Sequence, residues 1–349
     1  MEKQGGEPRI YLAPMEGITT YIFRRAIAKY YGGIDRYYTP FLTASHLKGR
    51  ELRDVHPENN CGLDTVPQIL TNDSELFLTI TRQLAELRFR EVNLNLGCPS
   101  GTVVSKGRGA GFLEEPEKLD RFLYEIFDGR EKLSSGKTID ISIKTRLGME
   151  FLSEWEDILE VYIKYPVKEL IIHPRLRNEF YTGEVHLDIF MDSLKKLREA
   201  SFTGDICYNG DIKDIEAYKR VISKFSSSLE AGVATGEKVM IGRGLVMNPN
   251  LANQIKEYAL TNEDGSIKGE VVKVEKSFDK KKFTSFINEL MEDYILEMSN
   301  EKQVVMKMKE LWTYFSMGLG LSPKELKEIH KVSRLSDYKN AVQMILSGI

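Results

Sequence analysis

The chain has 349 residues, with 49 Lys+Arg against 52 Asp+Glu and a formal net charge of −3. At about 150 residues per domain this is two domains, or one large one with an appendage, and a 42 % hydrophobic fraction supports a sizeable core. No run approaches the ~18 apolar residues of a membrane span, and residues 1–9 lack the apolar centre of a signal peptide. Three cysteines (Cys61, Cys98, Cys207) are too few to staple such a chain, so a reducing, cytoplasmic setting is expected. No Cys or His pair has metal-ligand spacing. The slight acidity argues against general coating of nucleic acid but leaves room for a local basic patch.

Eight short apolar runs read as strands: Arg9–Pro14, Arg36–Phe41, Val66–Leu70, Glu91–Gly97, Asp140–Arg146, Glu169–Arg175, Gly204–Gly210 and Lys238–Arg243. Most are continuous rather than alternating, as strands buried on both faces are. Amphipathic helical segments separate them, among them Ser74–Leu87, Glu117–Phe127, Glu154–Tyr165 and Ile212–Lys224. Eight βα units within residues 1–260 predict an α/β fold, a (β/α)8 TIM barrel. Residues 261–275 are polar and charged and read as a linker. Four helices are expected over 276–349: Phe278–Met298, Glu301–Met317, Pro323–Lys331 and Ser336–Leu346. The third opens with a capping Ser322, Pro323 at its first position and Glu325 three after the cap. Met306, Met308, Trp312, Tyr314 and Phe315 are expected as helical core.

Reactive groups of such barrels sit at the C-terminal ends of the strands. Unusual polar residues fall there: Gln68, Asn95, Lys144 and Arg146, His173 and Arg175, Asn209 and Arg243. Gly210 and the Gly242-Arg243-Gly244 run follow strands seven and eight, where barrels often bind phosphate through backbone N–H groups and an Arg. Lys144 lies within an apolar strand and needs an anion or acceptor, from a ligand or from a barrel carboxylate. Cys61 and Cys207 read as small buried hydrophobes. Cys98 differs, because Gly97 and Pro99 force an exposed turn. At the ordinary thiol pKa of ~8.5 it is mostly protonated near neutrality, which suits a proton donor. Gly107–Gly111 mimics a dinucleotide fingerprint but lacks the acidic residue that a Rossmann unit carries about 20 residues on.

In order, APMEGIT (13–19), NLNLGCPS (93–100), KGRGAGFL (106–113), IKTRLG (143–148), IIHPR (171–175), YNGDI (208–212) and VMIGRGLVMNP (239–249) resemble the tRNA-dihydrouridine synthase family. The resemblance implies an FMN-bound barrel that reduces the C5=C6 bond of particular uridines in tRNA, with NADPH as the electron source. It implies that Pro14 and Met15 line the flavin ring, and that Gln68, Lys144 and His173 hold its polar edges. Asn209, Gly210, Gly242 and Arg243 would hold the phosphate, and Asn95 and Arg175 would meet the substrate. Cys98 would protonate C5 while flavin N5 delivers hydride to C6. The family often has Gly where this chain has Pro174, and Asp where it has Thr20; the first departure puts the role of Arg175 in doubt.

The resemblance further implies a tRNA-binding helical domain; from the residues themselves neither membrane nor metal is expected, and a monomer is the expected state. Residues 251–349 hold 15 basic and 15 acidic residues, so any RNA-facing patch is local. Lys324, Lys327, Lys331 and Arg334 recur at helical spacing and span about 80° of one face. Lys48, Arg50 and Arg53 form a second candidate patch. Three rival readings are a flavin barrel acting on a free pyrimidine, in the manner of a dihydroorotate dehydrogenase, a flavin-free phosphate-binding barrel, and an RNA-binding protein without chemistry.

Overall fold

The computed structural model describes residues 7–131, 138–229, 238–260 and 278–349. Eight parallel strands close into a barrel in sequence order. They are β1 (Arg9–Leu12), β2 (Arg36–Leu42), β3 (Thr65–Ile69), β4 (Glu91–Leu96), β5 (Asp140–Gly148), β6 (Glu169–Leu176), β7 (Asp205–Tyr208) and β8 (Lys238–Ile241). The helices on its outside begin with α1 (Tyr21–Tyr30), α2 (Gly49–Val55), α3 (Ser74–Glu86), α4 (Gly101–Val104) and α5 (Pro116–Arg130). They continue with α6 (Glu154–Ile163), α7 (Leu187–Glu199), α8 (Ile215–Leu229), α9 (Arg243–Met247) and α10 (Leu251–Leu260). After these come α11 (Lys280–Glu297), α12 (Glu301–Gly318), α13 (Pro323–Lys331) and α14 (Leu335–Gly348). Every expected strand is present. The linker expected over 261–275 lies outside the described residues.

Strand side chains alternate in direction, so one residue in two points into the barrel. At the N-terminal end the interior is closed by charge. Arg36 meets Glu91 at 2.9 Å, Lys238 meets Asp205 at 2.5 Å, and Tyr11 and Tyr38 donate to Glu169 at 3.1 and 3.0 Å. Above this floor Tyr11, Ala13, Tyr38, Val66, Ile171, Cys207 and Met240 form a small apolar plug. The outer faces of the strands pack under the helices in the main core.

The C-terminal helices are docked on the barrel. Phe286 of α11 makes edge contacts with Phe23, Tyr30 and Tyr31, and Tyr21 donates to Glu297 at 3.0 Å. The Thr20 and Tyr294 hydroxyls lie 3.3 Å apart. The Lys307 ammonium of α12 donates to the carbonyl of Gly17, in the loop after β1. Ser322 and Glu325 form the expected capping box at the start of α13.

Gly318 ends α12 where that helix crosses α9, and a Cβ there would overlap the Met247 carbonyl. Contact this close fixes α12 over the loop after β8. Gly318→Ala should therefore cost about 1–3 kcal/mol through overpacking, read as a lower urea midpoint at an unchanged slope.

Candidate active site

A cavity of about 460 Å³ opens at the C-terminal end of the barrel, within the size range of small-molecule sites. Its lining includes Pro14, Met15, Gln68, Asn95, Cys98, Lys144, His173, Asn209, Gly210, Gly242 and Arg243. These eleven come from seven different strand ends. Closure of the sheet is what gathers them.

Cys98 sits on the turn after β4. The Asn95 side-chain carbonyl accepts from the backbone N–H of Gly97 at 3.0 Å and of Cys98 at 2.9 Å. Behind the turn, Gly109 has φ +57°, and a Cβ there would stand 2.8 Å from the Cys98 carbonyl. The Ala110 N–H donates to that same carbonyl at 3.1 Å. The run that mimics a dinucleotide fingerprint is thus the backing of the cysteine turn. Arg146, fully buried, donates to the carbonyls of Gly97 (3.0 Å), Leu176 (2.8 Å) and Phe180 (2.7 Å).

The electrostatics follow from burial among cations. Desolvation raises the Cys98 pKa above the ordinary thiol value, partly offset by the Ser100 N–H, Lys144 and Arg146, so the thiol is protonated at neutral pH. Lys144 is drawn down to about 8, by burial first and Arg146 second. Among the described residues no carboxylate pairs with it, so the barrel ion pair left open by the sequence is not formed. His173 is pushed well below its ordinary value, by burial and then by Arg146, Lys144, Arg175 and Arg243. It is neutral. Since Arg175 can only donate, the facing Nε2 of His173, at 3.4 Å, accepts and the proton sits on Nδ1.

Several expectations need correcting. Arg175 does not line the cavity. It is 2 % exposed and spends its guanidinium on Asp211, at 2.9 and 2.7 Å, and on the Gly183 carbonyl. Asp211 also takes Arg243 at 2.7 Å, so it aligns the two arginines. Cys61 is exposed beside the short turn Pro57–Asn60, whereas Cys207 is buried. Tyr314 is not simply core: it and Glu310, both from α12, wall the cavity, while Met308, Trp312 and Phe315 are buried and Met306 is exposed. Lys324, Lys327 and Lys331 are exposed on α13, with Lys331 paired to Glu328. Arg334 does not continue their stripe, because Val332 is extended and Arg334 caps α14. None of these four lines the cavity. Of the second patch, Arg50 pairs with Glu16 at 2.5 Å and Arg53 pairs with Glu297.

Tyr181, in the loop after β6, also lines the cavity, at a position that no sequence motif marks. Its ring lies 6.2 Å from that of His173, with the guanidinium of Arg146 at 5.3 Å and of Arg243 at 5.0 Å from its centre. Phe180 just before it has φ +49°, an uncommon conformation for a bulky residue. Only an aromatic pair after alternating charged residues, Arg175, Arg177 and Glu179, marks this loop. Among the described residues no cluster suits a metal ion, and no helix is long and apolar enough to cross a membrane.

The fold is shared with the structure of a 2-naphthoyl-CoA reductase in complex with 2-naphthoyl-CoA, at a TM-score of 0.52 and 10 % identity. That alignment covers 72 % of this chain and 50 % of the other, so this chain spans about half its length. Curated relatives are closer in sequence. A "Probable tRNA-dihydrouridine synthase" of Staphylococcus epidermidis and one of Staphylococcus aureus are each 28 % identical over 247 residues, covering 69 % of this chain and 70 % of theirs. A "Probable tRNA-dihydrouridine synthase 2" of Bacillus subtilis matches to the same extent. The family model described as dihydrouridine synthase spans residues 11–345, through the barrel and the C-terminal helices alike. The chain therefore belongs to the dihydrouridine synthase family, oxidoreductases acting on CH–CH bonds.

Proposed function

We propose that this chain is an FMN-dependent tRNA-dihydrouridine synthase that reduces the C5=C6 bond of particular uridines in tRNA, with NADPH as the electron source. The observation that carries this reading is the Cys98 thiol lining one cavity with Lys144, His173 and the Gly210 and Arg243 end; burial favours its protonated form. Flavin, when bound, supplies a hydride to C6 of the uracil.

The residues present fit that cofactor. Lys144 has no protein anion among the described residues and suits an electron-rich ring edge. Gln68 and His173 offer hydrogen-bonding groups beside it, and Pro14 and Met15 offer apolar surface. Asn209, Gly210, Gly242 and Arg243 form the end suited to phosphate, with Asp211 keeping Arg243 in place. Cys98 holds the proton destined for C5. Burial keeps it on sulfur until needed, and the Ser100 N–H, Lys144 and Arg146 lower the cost of the thiolate left behind. Asn95 lies between Cys98 and Gln68, placed to meet the uracil. The base must leave its stack to reach this depth. The C-terminal helices form a tRNA-binding domain in this reading. The exposed Lys324 and Lys327 meet phosphate, with Lys331, paired to Glu328, on the same helix.

Cys98→Ala should keep FMN and its reduction by NADPH but slow anaerobic reoxidation by unmodified tRNA about 10²–10⁴-fold, the contribution of a positioned general acid. Mapping dihydrouridine in the product completes the assay. Normal turnover by that variant, or reoxidation by free uracil or orotate in place of tRNA, overturns the proposal.

Lys144 sets a pH dependence. Its ammonium is favoured once an electron-rich ligand sits against it, so its pKa is higher in the complex than the value of about 8 without ligand. Affinity for FMN should be flat below that pH and fall above it. Lys144→Met should abolish the fall, as measured by fluorescence titration.

Reversing Lys324 and Lys327 to Glu should weaken tRNA binding and flatten its dependence on log salt by roughly 0.7–0.9 for each phosphate no longer neutralised. An unchanged slope removes α13 from the RNA interface.

A further inference from the structure

Four side chains form a one-way chain of hydrogen bonds beneath the cavity. Asn95 Nδ2 donates to Gln68 Oε1 at 2.7 Å, and Gln68 Nε2 donates to Asn93 Oδ1 at 2.8 Å. Asn93 Nδ2 donates to Ser142 Oγ at 3.0 Å, and the Ser142 hydroxyl reaches the Val92 carbonyl at 3.5 Å. Gln68, Asn93 and Ser142 are wholly buried and Asn95 nearly so.

Backbone groups fix the direction from the top. At the top, the N–H groups of Gly97 and Cys98 can only donate, so the Asn95 atom facing them must be its carbonyl oxygen. The other end of Asn95 is then an amide donor, and the Gln68 atom facing it must accept. The same logic passes to Asn93 and to Ser142, which accepts from Asn93 and whose own proton has the Val92 carbonyl and the Glu91 carboxylate within reach. No amide in the series can turn over without setting two donors against each other.

This polarity decides what the cavity offers. Asn95 has committed its oxygen twice, so only its second N–H remains for a ligand. It accepts a partner bearing a carbonyl oxygen and refuses an exocyclic amine. Gln68 keeps one N–H and one lone pair. Asn93 and Ser142 do not line the cavity.

We propose that Asn93, backed by Ser142, is a positioning residue that fixes the carboxamide of Gln68 and, through it, the polar atoms that the cavity presents to cofactor and pyrimidine. This rests on the function proposed above for the ligands, not for the chain of bonds. In Asn93→Leu, Gln68 loses its acceptor, so its buried Nε2 is left unpaired and Asn95 alone still opposes reversal of the amide. The hold of Asn95 on the Cys98 turn loosens with it. In Asn93→Asp a carboxylate oxygen still accepts from Gln68, and the Ser142 hydroxyl turns to donate.

The test uses the full chain in a Cys61→Ser background, freed of flavin. FMN is titrated by fluorescence, and alkylation of Cys98 by iodoacetamide is followed by mass spectrometry. Asn93→Leu should weaken FMN about tenfold, the order expected for one buried donor left unpaired, and speed alkylation of Cys98 severalfold. Asn93→Asp should restore both towards the parent. Should Asn93→Leu fail to fold, Ser142→Ala removes the next acceptor down the series and should shift both readouts the same way by a smaller factor. Parental FMN affinity and alkylation rate in whichever of these two variants folds overturn the proposal. So does an Asn93→Asp as impaired as Asn93→Leu, since that pattern marks a packing role. A parent that takes up no FMN instead overturns the proposed function, and alkylation alone then decides the positioning role.

Discussion

The site depends on one buried guanidinium. Arg146 has no solvent and, among the described residues, no carboxylate partner; three backbone carbonyls satisfy it, from two different strand ends and a loop. An unpaired buried charge is costly, so those carbonyls must stay where they are. Gly97 is thereby held beside Cys98, and Phe180 beside Tyr181. The positive φ of Phe180 is the local strain that this arrangement tolerates. Shortening Arg146 would release the cysteine turn and the aromatic loop together.

The same guanidinium helps set the protonation states around it. Four cationic side chains surround His173, and Asp211 is spent on two of them. Histidine therefore stays neutral and lysine moves towards neutrality, while burial keeps the thiol protonated. A cavity that resists holding its own full charge gains from an electron-rich guest. An acidic chain thus carries a cationic interior without being basic overall.

Much of this was legible in the sequence, for a physical reason. Strands buried on both faces write themselves as continuous apolar runs, and a closed barrel sends the residues at their ends to one rim. Gln68, Lys144, His173 and Asn209 could therefore be placed without coordinates. Arg175 could not, because its partners Asp211 and Gly183 reach it only through loop geometry. Arg334 was misplaced because helical arithmetic runs on through Val332, where the backbone is extended. Tyr314 reads as core from the sequence because a helix lying over a barrel has two buried sides, and periodicity alone does not say which one faces a cavity. Asn93 and Ser142 sit mid-strand, where polar residues carry no positional signal until their partners are seen.

The docking of α12 has a thermodynamic consequence. Lys307 grips the loop that carries Met15, and Glu310 and Tyr314 wall the same cavity that the barrel floors. A guest in that cavity touches both parts of the molecule, so its binding free energy also holds them together. Linkage is reciprocal: whatever tightens the seating of the helices raises affinity for the guest by the same factor. Occupancy of the cavity thus acts as a clamp on the assembled shape, and a chain that has lost its guest is the one most exposed to partial undocking and proteolysis.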